Sequence, residues 1–392
     1  LASKALFDEI TNFMGQLEGA DPDSRVQFVI SSEVRQMTAW KVIARLSEKT
    51  ALDLQKLLQG LNRFRNSIEA LPSEDLTFAE GICSETNALS EEITQIQATL
   101  SQMLLTPDDQ MVYWFEQIDI ESFAIHSAPL KVADILNEHL FQEKRSVILT
   151  SATLGVQGKF DSIQQNLGLC DADALALDSP FDYEQSALLC IPKDIPEPGS
   201  RDYFATLART VEKVVEVASG RTMVLFTSYS SLRTTHSAVK EFLSEIGIRV
   251  LAQGIDGTPQ QILKEFLKNP KTVLLGTSSF WEGIDLAGEA LQVLILARLP
   301  FNVPTDPVFS ARSQFYDNPF RDYALPQAVI RFRQGFGRLI RTKSDRGVVV
   351  VLDQRVMSRS YGRTFIRSLP NCTVSQLELD QLPEMIEEWL SR

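Results

Sequence analysis

AVIRFRQGFGRLIRTKSDRGVVVVLD, residues 328–353, holds the signals from which the rest of the chain is read. Placed on a helix, its first half sets Val329, Phe332, Phe336 and Leu339 on one stripe and Arg331, Gln334, Arg338 and Arg341 on another, because residues three and four apart share a face. One face is predicted to pack and the other to reach outward. Gly335 and Gly337 fall inside that helix, where each costs about 1 kcal/mol relative to alanine. A bare backbone there predicts close approach by a ligand or a strand. After a polar turn at residues 343–347, the run 348–352 is continuously apolar, as in a parallel strand buried on both faces. Arginines at the mouth of such a sheet suit a phosphate.

Residues 328–367 carry ten Lys or Arg against two Asp, an excess of eight positive charges in a chain of net charge −13. A solvated basic helix has the same spacing, so charge alone leaves both readings open. The acidic whole argues against a protein that coats nucleic acid through bulk charge, while leaving room for a narrow basic groove.

With 392 residues and 44% hydrophobic content, the chain has length for two or three domains. No apolar run nears the roughly 20 residues of a membrane span. The opening LASKALFDEITNF lacks the order of a signal peptide, so a cytoplasmic location with no membrane partner is expected. A first residue of Leu rather than Met suggests a portion of something longer. Cys83, Cys170, Cys190 and Cys372 show no CxxC spacing and His126, His139 and His236 are dispersed, so neither a metal site nor a disulfide framework is expected.

Residues 1–120 read as mainly helical, with long stretches at 37–70 and 80–103 broken by Pro72 and Pro107. Residues 26–31 and 111–115 are the strand candidates there. The cluster Tyr113, Trp114 and Phe115 suits a core better than a base-stacking surface. From Ser127 a helix at 131–141 leads to an apolar strand at 146–150, closed by Ser151, Ala152 and Thr153. Strands at 187–191, 223–227, 250–253, 273–276, 293–297 and 348–352 then alternate with helices, which predicts an α/β fold with an open, mainly parallel sheet. A helix at 384–390 is expected to pack Trp389 and Leu390 on that sheet. Ligands gather at the carboxyl ends of such strands. There lie Thr227, Ser228 and Tyr229, then Gln253 and Gly254, then Gly276, Thr277 and Ser278, then Glu282, Gly283, Ile284 and Asp285. Turn and cap chemistry explains any one of these sets, but less well all of them together.

The order Ser151-Ala152-Thr153, then residues 276–285, then Gln334-Gly335-Phe336-Gly337-Arg338-Leu339-Ile340-Arg341 resembles motifs III, V and VI of superfamily 2 helicases, in the form of the DinG and XPD-like DNA helicases. The resemblance covers residues 146–356 strongly; the helical part before Ser127 is similar by position to the arch insertion of that family. It implies residues 1–126 as arch-like insertion and part of lobe 1, residues 127–160 as the end of lobe 1, and residues 161–392 as a second RecA-like lobe. ATP would bind between the lobes and single-stranded DNA would run across both. On that resemblance Arg338 and Arg341 reach the phosphates, one as an arginine finger, with Gln334 and Asp285 orienting neighbouring groups. Gly283, Gly337, Ser151 and Thr153 would border the nucleotide. Thr277 and Glu282 would link it to the DNA track, and Ser228, Tyr229, Gln253 and Gly254 would grip the DNA backbone.

The chain contains no G-x-x-x-x-G-K-[ST] phosphate loop and no DEAH-type box. The resemblance therefore implies that ATP and Mg2+ are held mainly by a missing part of lobe 1, a partner lobe of the same protein, and that this chain alone neither hydrolyses ATP nor unwinds DNA. An iron-sulfur cluster or a nuclease domain in a longer parent is neither implied nor excluded. The competing reading is a nucleic-acid-binding or regulatory module of a motor-inactive parent.

Overall fold

The computed structural model describes residues 2–16, 27–70, 76–118, 122–151, 153–155, 159–169, 171–281 and 291–392. Two compact units form, residues 1–131 with 304–312 and residues 132–303 with 313–392.

The first unit is built on an antiparallel sheet of three strands, β1 (Gln27–Val29), β2 (Met111–Gln117) and β3 (Phe123–Pro129), in the order β1-β2-β3. Alternate residues of β2 face opposite ways. Tyr113 and Phe115 are therefore buried with Leu6, Ile10 and Phe13 of the helix Ala2–Gln16. Trp114, on the other face, stacks on His126 with centroids 5.0 Å apart. The core role expected for the cluster Tyr113, Trp114 and Phe115 is observed for Tyr113 and Phe115, whereas Trp114 is only partly buried and packs on His126 instead. Two long helices, Thr38–Glu69 and Leu76–Leu104, run beside one another, tied where Gln97 Nε2 donates to Ala51 O at 3.1 Å and Arg65 Nη1 to Asn87 Oδ1 at 2.7 Å. Beyond Thr50 the first of them buries no residue, so its outer part is a helical hairpin standing off the core.

The second unit is an α/β domain around a seven-stranded sheet ordered β10-β4-β9-β8-β5-β7-β6, with every pair parallel. The strands are β4 (Ala187–Pro192), β5 (Thr222–Leu225), β6 (Arg249–Ala252), β7 (Thr272–Gly276), β8 (Val293–Leu296), β9 (Gly347–Val351) and β10 (Thr373–Leu377). Strand periodicity sends Val348, Val350 and Leu352 into one core, with the helices Tyr203–Val217, Tyr229–Glu245 and Leu382–Ser391. Val349 and Val351 enter the other, with Pro259–Lys268 and Leu325–Phe336. Helices on both faces explain why the strand runs are apolar rather than alternating. Trp389 packs into the first core as expected.

Two expectations need correction, and one strand goes unread in the sequence. The stretch 146–150 forms no strand: Val147, Ile148 and Leu149 are 37%, 87% and 44% exposed. A strand exists only through its ladder, and these residues pair with none among the described residues. The helix carrying the arginines ends at Phe336 rather than continuing to Arg341, because Gly337 and the buried pair Leu339 and Ile340 turn the chain towards β9. The edge strand β10 was not foreseen. Its run TVSQL is mostly polar and only Leu377 is buried, unlike the continuous apolar strands at the centre.

Candidate functional site

The helix Leu325–Phe336 buries Ala328, Val329, Phe332 and Phe336 against the sheet. At its end Gly337 N donates to Arg333 O at 2.8 Å, then Arg338 N to Gly335 O at 3.2 Å and Leu339 N to Phe336 O at 3.1 Å. These tight turns satisfy carbonyls that a helix end leaves open. Leu339 then sits over the first residue of β9, where a Cβ on Gly347 would overlap its side chain. Arg338 and Arg341 thus flank a buried anchor, and their spacing comes from a turn rather than a helical face. Gly335 has the role expected of a bare backbone, but the neighbour is a side chain: a Cβ there would stand 3.1 Å from the Trp281 ring.

Asp345, a buried residue, organises the following loop. Its Oδ2 accepts the Arg341 and Thr342 N–H groups, each at 2.8 Å, and its Oδ1 accepts the Thr342 hydroxyl at 2.6 Å. Burial raises its carboxyl pKa, but the hydrogen bonds from Thr342 and from the Arg341 and Thr342 backbone outweigh it, leaving the group below the usual carboxylate range.

A cavity of about 1210 Å³ lies beside this turn. Ser151, Thr153 and Gly155 line it together with Gln334, Gly337, Arg338 and Arg341. Ser151 Oγ lies 3.2 Å from Thr153 Oγ1. Arg333, whose pKa is lowered by burial, donates from Nη1 to Gly155 O at 2.6 Å, so the arginine helix and the segment after Thr153 are joined directly. Gln334 Oε1 is buried without a hydrogen-bond partner among the described residues. A buried acceptor in that state is costly, and in a residue that lines a cavity it suits a ligand or water donor.

A second cluster sits at the carboxyl ends of β5, β6 and β7. Gln253 is 3% exposed; its Oε1 accepts the Thr277 N–H at 2.8 Å and hydroxyl at 3.0 Å, and its Nε2 donates to Tyr229 Oη at 2.6 Å and Ser279 Oγ at 3.3 Å. Ser228 caps the helix Tyr229–Glu245, its Oγ accepting Ser231 N–H at 3.2 Å. Gly254 takes a left-handed φ of 75° that a side chain would strain. Three sequence-distant segments meet here, but not as five equal contacts. Gln253 and Thr277 are buried and bonded to one another, which leaves Tyr229 (45% exposed) and Gly254 to present a surface. Glu282, Gly283 and Asp285 lie outside the described residues.

The helicase C-terminal domain family matches residues 211–372, which span the second cluster and the arginine turn. The chain is 32% identical to the 3'-5' exonuclease DinG of Bacillus subtilis over 97% of its own length and 42% of that relative's. With the ATP-dependent DNA helicase YoaA of Haemophilus influenzae it shares 37% identity over 76% of this chain and 47% of the relative. This chain belongs to the DinG and YoaA family of helicases. It spans less than half the length of these curated relatives. A solved XPD helicase shares its fold at a TM-score of 0.53 and 19% identity, covering 78% of this chain and 56% of that one. The seven-stranded parallel sheet described above is of the α/β kind that this likeness shows.

Within this helicase fold, Arg333, Asp345 and Trp281 belong to the site although sequence reasoning did not place them there. Asp345 had a legible signal, an acidic residue in a polar turn just after Arg341, where Asp side chains bond nearby backbone. Arg333 had none, since its partner lies 178 residues away, and Trp281, although inside the 276–285 stretch, has its partner Phe226 O 55 residues away. Among the described residues, no group of three or more His, Cys, Asp or Glu could hold a metal ion, and no helix is long and apolar enough to cross a membrane.

Proposed function

We propose that this chain is the arginine-bearing part of an ATP-dependent DNA motor, in which Arg338 and Arg341 neutralise the phosphates of a nucleotide and Tyr229 and Gly254 meet the backbone of single-stranded DNA. The observation that carries this reading is the convergence of Ser151 and Thr153 with Gln334, Gly337, Arg338 and Arg341 on one cavity. Phosphoryl transfer spreads negative charge over the moving group, and a positioned arginine contributes about 10³ to 10⁵ in rate. Gln334 brings a buried amide whose oxygen needs a donor. Ser151 and Thr153 can exchange their mutual contact for one to the ligand. The 127–160 segment would then be the end of the first lobe, and the helical hairpin an arch-like insertion. Because the 392 residues hold no phosphate loop or DEAH-type box, turnover requires a second lobe that supplies them. Mg2+ would be held mainly by that second lobe.

The test is Arg341→Ala in the polypeptide that carries both lobes. ATP turnover should fall at least a hundredfold while single-stranded DNA affinity stays within a few-fold; unchanged turnover would sink the assignment. A second reading has one observation in its favour: the relative aligned over 97% of this chain is named an exonuclease, not a helicase. In a nuclease-bearing parent without motor activity, Arg341→Ala would leave DNA cleavage unchanged and no DNA-stimulated ATPase would be found.

A further inference from the structure

We propose that Trp281 is a positioning residue that couples the arginine turn to the strand ends carrying Ser228, Tyr229 and Gln253, so that displacement of one displaces the other. The indole is 3% exposed. On one side its Cζ3 and Cε3 lie 3.1 and 3.3 Å from where a Cβ on Gly335 would stand. Gly335 adjoins Gln334 and precedes Arg338 by three residues. On the other side Trp281 Nε1 donates to Phe226 O at 3.3 Å, and Phe226 N donates to Gly276 O at 2.9 Å. Ser228, the cap of the Tyr229–Glu245 helix, follows two residues later.

A second route reaches the same place. Trp281 ends the short helix Ser278–Trp281, whose start is fixed by Phe280 N donating to Thr277 O at 2.8 Å. Thr277 is bonded to Gln253, and Gln253 to Tyr229. Both routes therefore begin at a rigid bicyclic ring and arrive at Tyr229. A core tryptophan placed only for burial would tolerate a methyl group on its neighbour with modest repacking. Here the contact atoms are within the range where the neighbour must yield, and the ring's hydrogen bond opposes that movement. Packed groups of this kind pass on sub-ångström shifts because they have few alternative arrangements. The identity of the two coupled ligands, nucleotide and single-stranded DNA, rests on the function proposed above; the mechanical link does not.

The link is tested by amide hydrogen exchange on the 392-residue chain without ligand. Trp281→Phe keeps a ring against Gly335 but removes the donor to Phe226 O; Gly335→Ala pushes the ring from the other side. Each should raise exchange across residues 226–232 about tenfold, and the double variant should add little to the larger single effect. Unchanged exchange in 226–232 in the conservative Trp281→Phe variant overturns the link, even if Gly335→Ala fails to fold. Affinities for an oligothymidylate with and without a non-hydrolysable ATP analogue form a separate arm, in the polypeptide carrying both lobes. Trp281→Phe should reduce the factor by which one ligand alters affinity for the other at least threefold, and an undiminished factor in that variant overturns the coupling. Failure of the wild type to bind either ligand counts against the proposed function and leaves the exchange result to decide the link.

Discussion

Asp345 and Arg341 are joined not through their charges but through the Arg341 backbone, whose N–H lies 2.8 Å from Asp345 Oδ2. The carboxylate fixes where the arginine leaves the main chain and leaves its guanidinium for other contacts. Replacing Asp345 with alanine strands two backbone donors and the Thr342 hydroxyl. The expected loss is about 1–3 kcal/mol of stability, read from the denaturant midpoint. Weaker nucleotide binding should accompany it although no ligand contact is removed.

The same group predicts an acid response. The Asp345 carboxyl titrates lower in the folded chain than the usual carboxylate value, so its contribution to stability is complete above the unfolded value, about 3.9, and is lost as pH falls through the folded one. Wild-type stability should therefore drop below pH 4 more steeply than that of Asp345→Asn, as measured by urea denaturation across pH 2–6. Parallel pH curves for the two proteins would contradict the assignment.

Gln253 is the hub of the second cluster. Gln253→Leu preserves approximate volume but leaves the buried Thr277 N–H and hydroxyl without their acceptor, a change expected to cost about 1–3 kcal/mol. Tyr229 loses its 2.6 Å donor as well. Single-stranded DNA affinity should fall several-fold, and Tyr229→Phe, which keeps the ring, should fall less. Fluorescence anisotropy with a labelled oligonucleotide distinguishes these outcomes.

At the carboxyl end of β9, Asp353 is fully buried, accepts Leu299 N–H at 2.8 Å and holds the Arg355 guanidinium at 2.6 Å. Removing the carboxylate strands the Leu299 and Arg355 backbone N–H groups that it accepts as well as the Arg355 guanidinium, at about 1–3 kcal/mol for each buried donor left without a partner. Asp353→Ala should therefore lower the thermal midpoint by more than Arg355→Ala, whose side chain is 30% exposed and whose loss leaves Asp353 two backbone donors. An equal or reversed order would show that the backbone contacts are not what holds Asp353.

DNA binding, finally, should weaken steeply with salt despite a net charge of −13, because a groove that neutralises several phosphates releases their counterions whatever the distant surface carries. The slope of log affinity against log salt, measured on the chain itself, checks this. A slope near zero would leave no basic groove to propose.

Local pattern determined much of this protein. The apolar runs of β4, β5, β7, β8 and β9 required a parallel sheet covered on both faces, and the ordered motifs around Ser151, Thr277 and Arg338 placed the chain in its family. These are short-range properties, written in neighbouring residues. Only tertiary structure decided the rest. It stopped the arginine helix at Phe336, since the anchoring of Leu339 over Gly347 depends on where β9 lies. It left residues 146–150 unpaired, since a strand needs a ladder that no single stretch can supply. It also brought Trp281 against Gly335 and Arg333 to Gly155 across 54 and 178 residues of chain. Such contacts arise from how whole elements stack, and no periodicity within either partner records them.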